Sequence, residues 1–199
     1  SYEVTDGTTP VAASASINVT AVNDDPVVTG AVTGTASDDD ATFTVDLLSG
    51  ATDVDGGSLM VSNLTLISGN AIGVTANYND GTLSVDPADY TYLGAGVTED
   101  VTYSYDITDG HGGMVSQTAT VTITGTNDGP VVSGPAYLGQ VMEDGTTLIT
   151  EAALLSHATD VDTDVSGLSV ANLDVSDASQ GGLEAVTAYD YVMNGAQAP

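Results

Sequence analysis

The chain contains no lysine and no arginine. Nucleic-acid backbones and anionic membrane surfaces are held by those two side chains, so both classes of partner are excluded by composition. Lysine Schiff-base chemistry and Lys–Asn isopeptide staples are excluded with them. Cysteine is absent too, which removes disulfides and thiol chemistry. Tryptophan is missing and phenylalanine occurs once, so the aromatic platforms that line most carbohydrate-cleaving clefts are scarce. No apolar run approaches the roughly eighteen residues of a membrane-spanning helix, and direct membrane insertion is not expected.

What is present is acid. Asp and Glu number 28 in 199 residues, for a formal charge of -28, yet 41% of residues are hydrophobic. That apolar share exceeds what a charge-driven disordered tail carries, so a packed core is expected despite self-repulsion. An acid-rich surface serves solubility or life at high salt; a divalent cation is the sharper explanation, because carboxylate oxygens bind it and lose their mutual repulsion.

The sequence repeats itself. Ser1–Gly7 (SYEVTDG) matches Ser104–Gly110 (SYDITDG) at a spacing of 103, and Asn23–Pro26 (NDDP) matches Asn127–Pro130 (NDGP) at 104. A second pair, LLSGATDVDGGSLMVSNL from Leu47 and LLSHATDVDTDVSGLSVANL from Leu154, recurs in the same order. A period of about 105 residues is that of a whole β-domain and not of a solenoid coil. The expected organisation is therefore residues 1–26 as the C-terminal strands of one repeat, 27–129 as a complete repeat, and 130–199 as the N-terminal part of the next.

Local patterning is β almost throughout. Val101, Tyr103, Tyr105 and Ile107 alternate with polar residues, as do Ala119, Val121 and Ile123 with threonine, so each run presents one packed and one wet face. Ala13, Ala15, Ile17, Val19 and Ala21 alternate in the same way and predict another strand. YNDG at Tyr78–Gly81 reads as a hairpin, Tyr90 and Tyr92 fall where a tyrosine corner pins a sandwich loop, and TEAALLSHA predicts a single helical turn capped by Thr150. About seven short strands per hundred residues make an all-β sandwich.

The order TDVDG, YTYLGAGVTEDVTYSYDITDGHGG and a Thr-rich strand ending TGTNDGP resembles the VCBS and bacterial cadherin-like (Ig-like) tandem repeats of giant surface adhesins of the repeats-in-toxin type. The resemblance runs to about Gly182; AVTAYDYVMNGAQAP, from Ala185, departs from the pattern. It implies Greek-key β-sandwiches strung end to end, Ca2+ at the junctions, an extracellular or cell-surface location, and a spacer role that projects a binding tip. The partners implied are neighbouring repeats of the same chain, and like chains in a fibre.

Residue chemistry supports calcium independently, since the ion takes six to eight oxygen ligands and carboxylates and amides abound at the turns. The clusters are Asp38, Asp39 and Asp40; Asp53 and Asp55; Asp109; Asn127 with Asp128; and, in the third unit, Glu143 with Asp144 and Asp160 with Asp162. By resemblance, the downstream junction combines Asn127, Asp128, Glu143, Asp160, Asp162 and Asp109. The upstream one combines Asp6, Asn23, Asp24, Asp25, Asp38, Asp39, Asp53 and Asp55. Asp and Asn also favour turns for their own sake, and that is the competing explanation. An EF-hand beginning at Asp160 fails, with Val165 where Gly is needed and Ala171 where Glu is needed.

Catalysis is not expected. Of the two histidines, His111 sits in a Gly-rich turn and His157 replaces the Gly50 of the earlier unit, so the latter position is not a shared catalytic feature. The rival functions are a calcium-dependent carbohydrate-binding module, for which nine tyrosines offer stacking surfaces, and a subunit of a self-assembling extracellular filament. Asn18 and Asn63 begin Asn-x-Thr sequons.

Overall fold

A computed structural model of the chain describes residues 1–142, 144–163, 167–174, 181–185 and 190–195. Strands β1 (Tyr2–Thr5) and β2 (Pro10–Ala13) form a hairpin at the start. A sandwich follows, built from β3 (Val27–Val28), β4 (Val32–Ser37), β5 (Phe43–Asp46), β6 (Ala51–Thr52), β7 (Met60–Ser68), β8 (Val74–Asn77), β9 (Thr82–Val85), β10 (Thr98–Thr108) and β11 (Met114–Thr124). One sheet has the order β4-β11-β10-β7, the facing sheet β5-β9-β8, and β3 pairs with β6. This is the all-β sandwich that the patterning predicts.

The core follows from the alternation. Val101, Ile107, Ala119, Val121 and Ile123 are fully buried, and Tyr103 and Tyr105 nearly so, against Leu47, Leu83 and Val85 of the other layer. Burying a large apolar side chain contributes roughly 1.5–3 kcal/mol, so this face supplies most of the cohesion of a domain without disulfides. Two tyrosines keep their hydroxyls satisfied inside it: Tyr105 donates to the Leu47 carbonyl at 2.8 Å and Tyr90 to the Asn70 carbonyl at 2.7 Å. Tyr90 thus pins the β7–β8 connection from the 3-10 turn Pro87–Tyr90, while Tyr92 is half-exposed. The YNDG hairpin joins β8 to β9 with Asn77 opposite Thr82.

Beyond β11 come β12 (Val131–Val132), β13 (Thr146–Thr150), α1 (Glu151–Leu154), β14 (Ala158–Thr159), β15 (Gly181–Ala185) and β16 (Asp190–Gly195). The Thr150 side chain caps α1 by accepting from Ala153 N at 3.2 Å, as its sequence predicts. The β12–β14 pair, Val131 opposite Thr159, reproduces the β3–β6 pair, Val27 opposite Thr52.

One expected strand does not form. The alternating run Ala13–Ala21 leaves its hairpin after Ala13, and Ile17 and Val19 are each 88% exposed. Its counterpart β11 is held by β10 on one side and β4 on the other; among the described residues no strand lies against residues 14–22, and alternation without a partner leaves backbone groups to water.

Two poles result. β4 runs parallel to β11, from Val32 opposite Ala119 to Ser37 opposite Thr124, so both strands finish at the downstream pole. The β10–β11 turn lies at the upstream pole, where Asn23–Asp25 arrive. An eleven-residue strand separates the two by about 35 Å at about 3.3 Å per residue.

Candidate metal centre at the junctions

At the downstream pole, Asp38 follows β4 and is only 1% exposed. Its Oδ1 accepts from Thr126 N at 2.9 Å and Thr126 Oγ1 at 2.8 Å, and that hydroxyl also lies 2.9 Å from Asp39 Oδ2. The linker continues through Asn127, whose amide donates to the Asp128 carbonyl at 2.9 Å, to Asp128, whose N–H donates to Asp162 Oδ2 at 2.5 Å. The other oxygen of Asp162 accepts from Ala95 N. Asp160 Oδ1 accepts from the N–H groups of Asp162 and Thr163, both at 2.9 Å. The Asp128 carboxyl is pushed above the usual carboxylate range, first by loss of solvent and then by the negative charges of Asp162, Asp38, Asp39 and Asp160. Five carboxylates therefore share one field, and no lysine or arginine exists to balance it.

The upstream pole repeats the pattern. Asp24 N donates to Asp55 Oδ2 at 2.6 Å, as Asp128 N does to Asp162, and Asp55 N donates to Asp53 Oδ1 at 2.8 Å, as Asp162 N does to Asp160. Asp25 Oδ1 accepts from Met114 N at 3.2 Å. Asp109, 3% exposed, accepts from His111 N at 2.7 Å and Gly113 N at 3.0 Å on one oxygen and from the Asn23 amide at 2.7 Å on the other. The Asn23 bond above all, with those backbone donors, holds its carboxyl below the usual range.

The structure redistributes the expected ligand sets. Asp38 and Asp39, assigned by resemblance to the upstream junction, stand at the downstream pole, because β4 runs parallel to β11 and ends beside its last residue. Asp109, assigned downstream, stands upstream, because it turns β10 back into β11. Asp6 joins neither group: it closes its own turn by accepting from Thr8 N, Thr8 Oγ1 and Thr9 N, which lowers its carboxyl to about 2. Asp40 accepts from Ser37 N at 2.7 Å. Glu143 lies outside the described residues. Thr126, which ties two carboxylates together, has Val22 as its counterpart in the first repeat, so the repeat pattern does not flag it.

Among the described residues, no three carboxylate or imidazole groups close on one point. Like charges repel, and backbone N–H groups draw several of them aside. Three carboxylate oxygens nevertheless remain buried without a hydrogen-bond partner: Asp38 Oδ2, Asp53 Oδ2 and Asp128 Oδ2. A buried charged oxygen lacking a donor is costly, and an all-oxygen set of such groups fits a hard divalent cation.

The cadherin-like domain model matches residues 22–124 and again 126–190. Human protocadherin-24 extracellular domains 1–2 align over 89% of this chain and 80% of that one, at 16% identity and a TM-score of 0.46. Protocadherin gamma B2 extracellular cadherin domains 3–6 align over 86% and 39%, at 12% identity and 0.36. An endo-fucoidan hydrolase of glycoside hydrolase family 107 aligns over 86% and 24%, at 17% identity and 0.36. The chain spans 24% and 39% of the length of the last and the middle of these three. No curated protein sequence matches it significantly. With the family model covering both the sandwich and the segment after it, the chain belongs to the cadherin-like domain family.

Proposed function

We propose that the chain is a run of calcium-stiffened spacer repeats from a large bacterial surface adhesin or extracellular fibre, holding a binding tip away from the cell. Membership of the cadherin-like family, whose domains generally bind calcium, supports an extracellular, adhesion-type role. The observation that carries the calcium reading is the pair of buried, donorless oxygens on Asp38 and Asp128 within a field of five carboxylates. Asp38, Asp39, Asn127, Asp128, Asp160 and Asp162 would hold the downstream ion. Asn23, Asp24, Asp25, Asp53, Asp55 and Asp109 would hold the upstream one. The ion supplies positive charge that removes the repulsion among carboxylates contributed by two consecutive units. Extracellular modules of this kind bind calcium near 10⁻⁴ to 10⁻³ M, so on this reading the sites fill outside a cell.

The chain is read as non-enzymatic. His111 Nδ1 faces the Asp109 carbonyl at 3.1 Å, and Asp109 is itself occupied by three donors. The carbohydrate alternative gains little from a shallow groove over Asn63, Asp106 and Ser116. The Asp106 oxygens there are already taken by Ser116 Oγ at 2.7 Å and the Asn63 amide at 2.8 Å.

Calorimetric calcium titration of the whole chain tests the reading, alongside small-angle scattering with calcium and with a chelator. Binding that is weakened in Asp38→Ala and Asp128→Ala, with loss of the extended shape on chelation, is the expected result. Absence of calcium-dependent heat and of any change in shape would leave the acid clusters as surface charge only.

A further inference from the structure

The contact between Asp162 and the loop before β10 is made by protein groups alone. That loop is fixed by its own backbone: Val97 N donates to Gly94 O at 2.9 Å, Gly96 N to Gly125 O at 2.9 Å, and Gly125 N to Val97 O at 2.8 Å. The first residue after β11 therefore clamps it. A Cβ on Gly125 would lie 2.3 Å from the Gly94 carbonyl oxygen and 2.5 Å from that of Leu93, so no larger residue lets the loop sit this close. On its other side the loop meets the next segment, where a Cβ on Gly94 would lie 3.3 Å from Val161 O and 3.6 Å from Asp162 Oδ1. So held, the loop presents Ala95 N to one oxygen of Asp162, while Asp128 N reaches the other.

We infer that the Leu93–Val97 loop is a docking surface for the Asp160–Asp162 turn of the following repeat, forming a latch between consecutive units that needs no metal. Asp162 is its positioning residue, and Gly94 and Gly125 set its fit. The carboxylate is itself braced, since Asp160 accepts from Asp162 N and Thr163 N. Thr126 ties the same linker back to Asp38. A continuous hydrogen-bonded path thus runs from one unit through the linker to the next. Both N–H bonds go to a charged acceptor, and such bonds are about twice as strong as neutral ones. The latch accordingly tethers the units at one point before an ion arrives, and the ion, on the calcium reading, supplies the remaining stiffness. The inference concerns the junction used in the calcium reading but does not rest on calcium being bound.

Amide hydrogen exchange of the full chain in chelator, read by NMR, is the test. In the wild type, the Ala95 and Asp128 amides should exchange roughly ten- to a hundredfold more slowly than free-peptide rates. Asp162→Ala should abolish that protection at both, while Val101 and Val121 in the core stay protected and report that the sandwich is folded. Gly94→Val alters no carboxylate and should release Ala95 alone. Free-peptide exchange at wild-type Ala95, or retention of its protection in either variant, would overturn the latch. Neither result depends on whether calcium binds, so failure of the latch and failure of the calcium reading are separately visible.

Discussion

Replacing Asp38 by Asn should stabilise the chain without calcium and shrink the further stabilisation that calcium adds. Asp38 is buried, its Oδ1 satisfied twice by Thr126 and its Oδ2 by nothing. Asn keeps the acceptor for Thr126, turns the orphaned oxygen into a neutral donor and removes one negative charge from those acting on Asp128. A buried acceptor atom without a partner costs about 1–3 kcal/mol, and removing that cost should appear as a gain of this order in chelator. For a chain of this size each kcal/mol moves Tm by roughly 2–4 °C, so the shift is readable by calorimetry. In calcium an opposing term offsets that gain. One site at a hundredfold excess over its dissociation constant adds about 2.7 kcal/mol, and each tenfold loss of affinity gives back about 1.4 kcal/mol. Thermal unfolding of wild type and Asp38→Asn, each with calcium and with chelator, makes a four-way comparison. Equal destabilisation in both conditions would refute the reasoning and make Asp38 an ordinary capping carboxylate for Thr126.

Other outcomes follow from the same geometry. The Asp128 carboxyl is raised in the folded chain, so in chelator stability should increase as pH falls through its folded value, because the native state takes up the proton first; urea unfolding between about pH 3 and 7 reads this. In calcium the same carboxyl must lose its proton, so binding should weaken over that window and release protons, which calorimetry in buffers of different ionisation enthalpy detects. Asp109 has the opposite sign: its lowered carboxyl contributes stability above the unfolded value of about 3.9 that is lost as pH falls through the folded one, and Asp109→Ala removes that dependence. Tyr90→Phe should cost about 0.5–1.5 kcal/mol in urea unfolding and increase amide exchange in the β7–β8 connection, since its hydroxyl holds the Asn70 carbonyl, beside the Glu99 and Tyr92 bonds to the same residue.

How much of this was legible in the sequence depends on what a local pattern can carry. Strand faces were legible because period two places Val101, Tyr103, Tyr105 and Ile107 on one side whatever lies opposite. The Thr150 cap and the Tyr90 pin were legible because each acts within about twenty residues along the chain. The chemistry of the junctions was legible as residue types, and their grouping was not. Asp38 meets Thr126 across 88 positions, and only the parallel pairing of β4 with β11 says that they share a pole. The family resemblance instead groups Asp38 with the acids of the preceding linker, a whole strand length away. The exposed run from Ala13 to Ala21 makes the same point from the other side. Its alternation equals that of β11, yet Ile17 is 88% exposed where Ile123 is fully buried. Periodicity states which face a strand would bury; a neighbouring strand decides whether it buries anything. The acid clusters obey the same logic, since each linker draws its carboxylates from strands that end together and not from residues that follow one another.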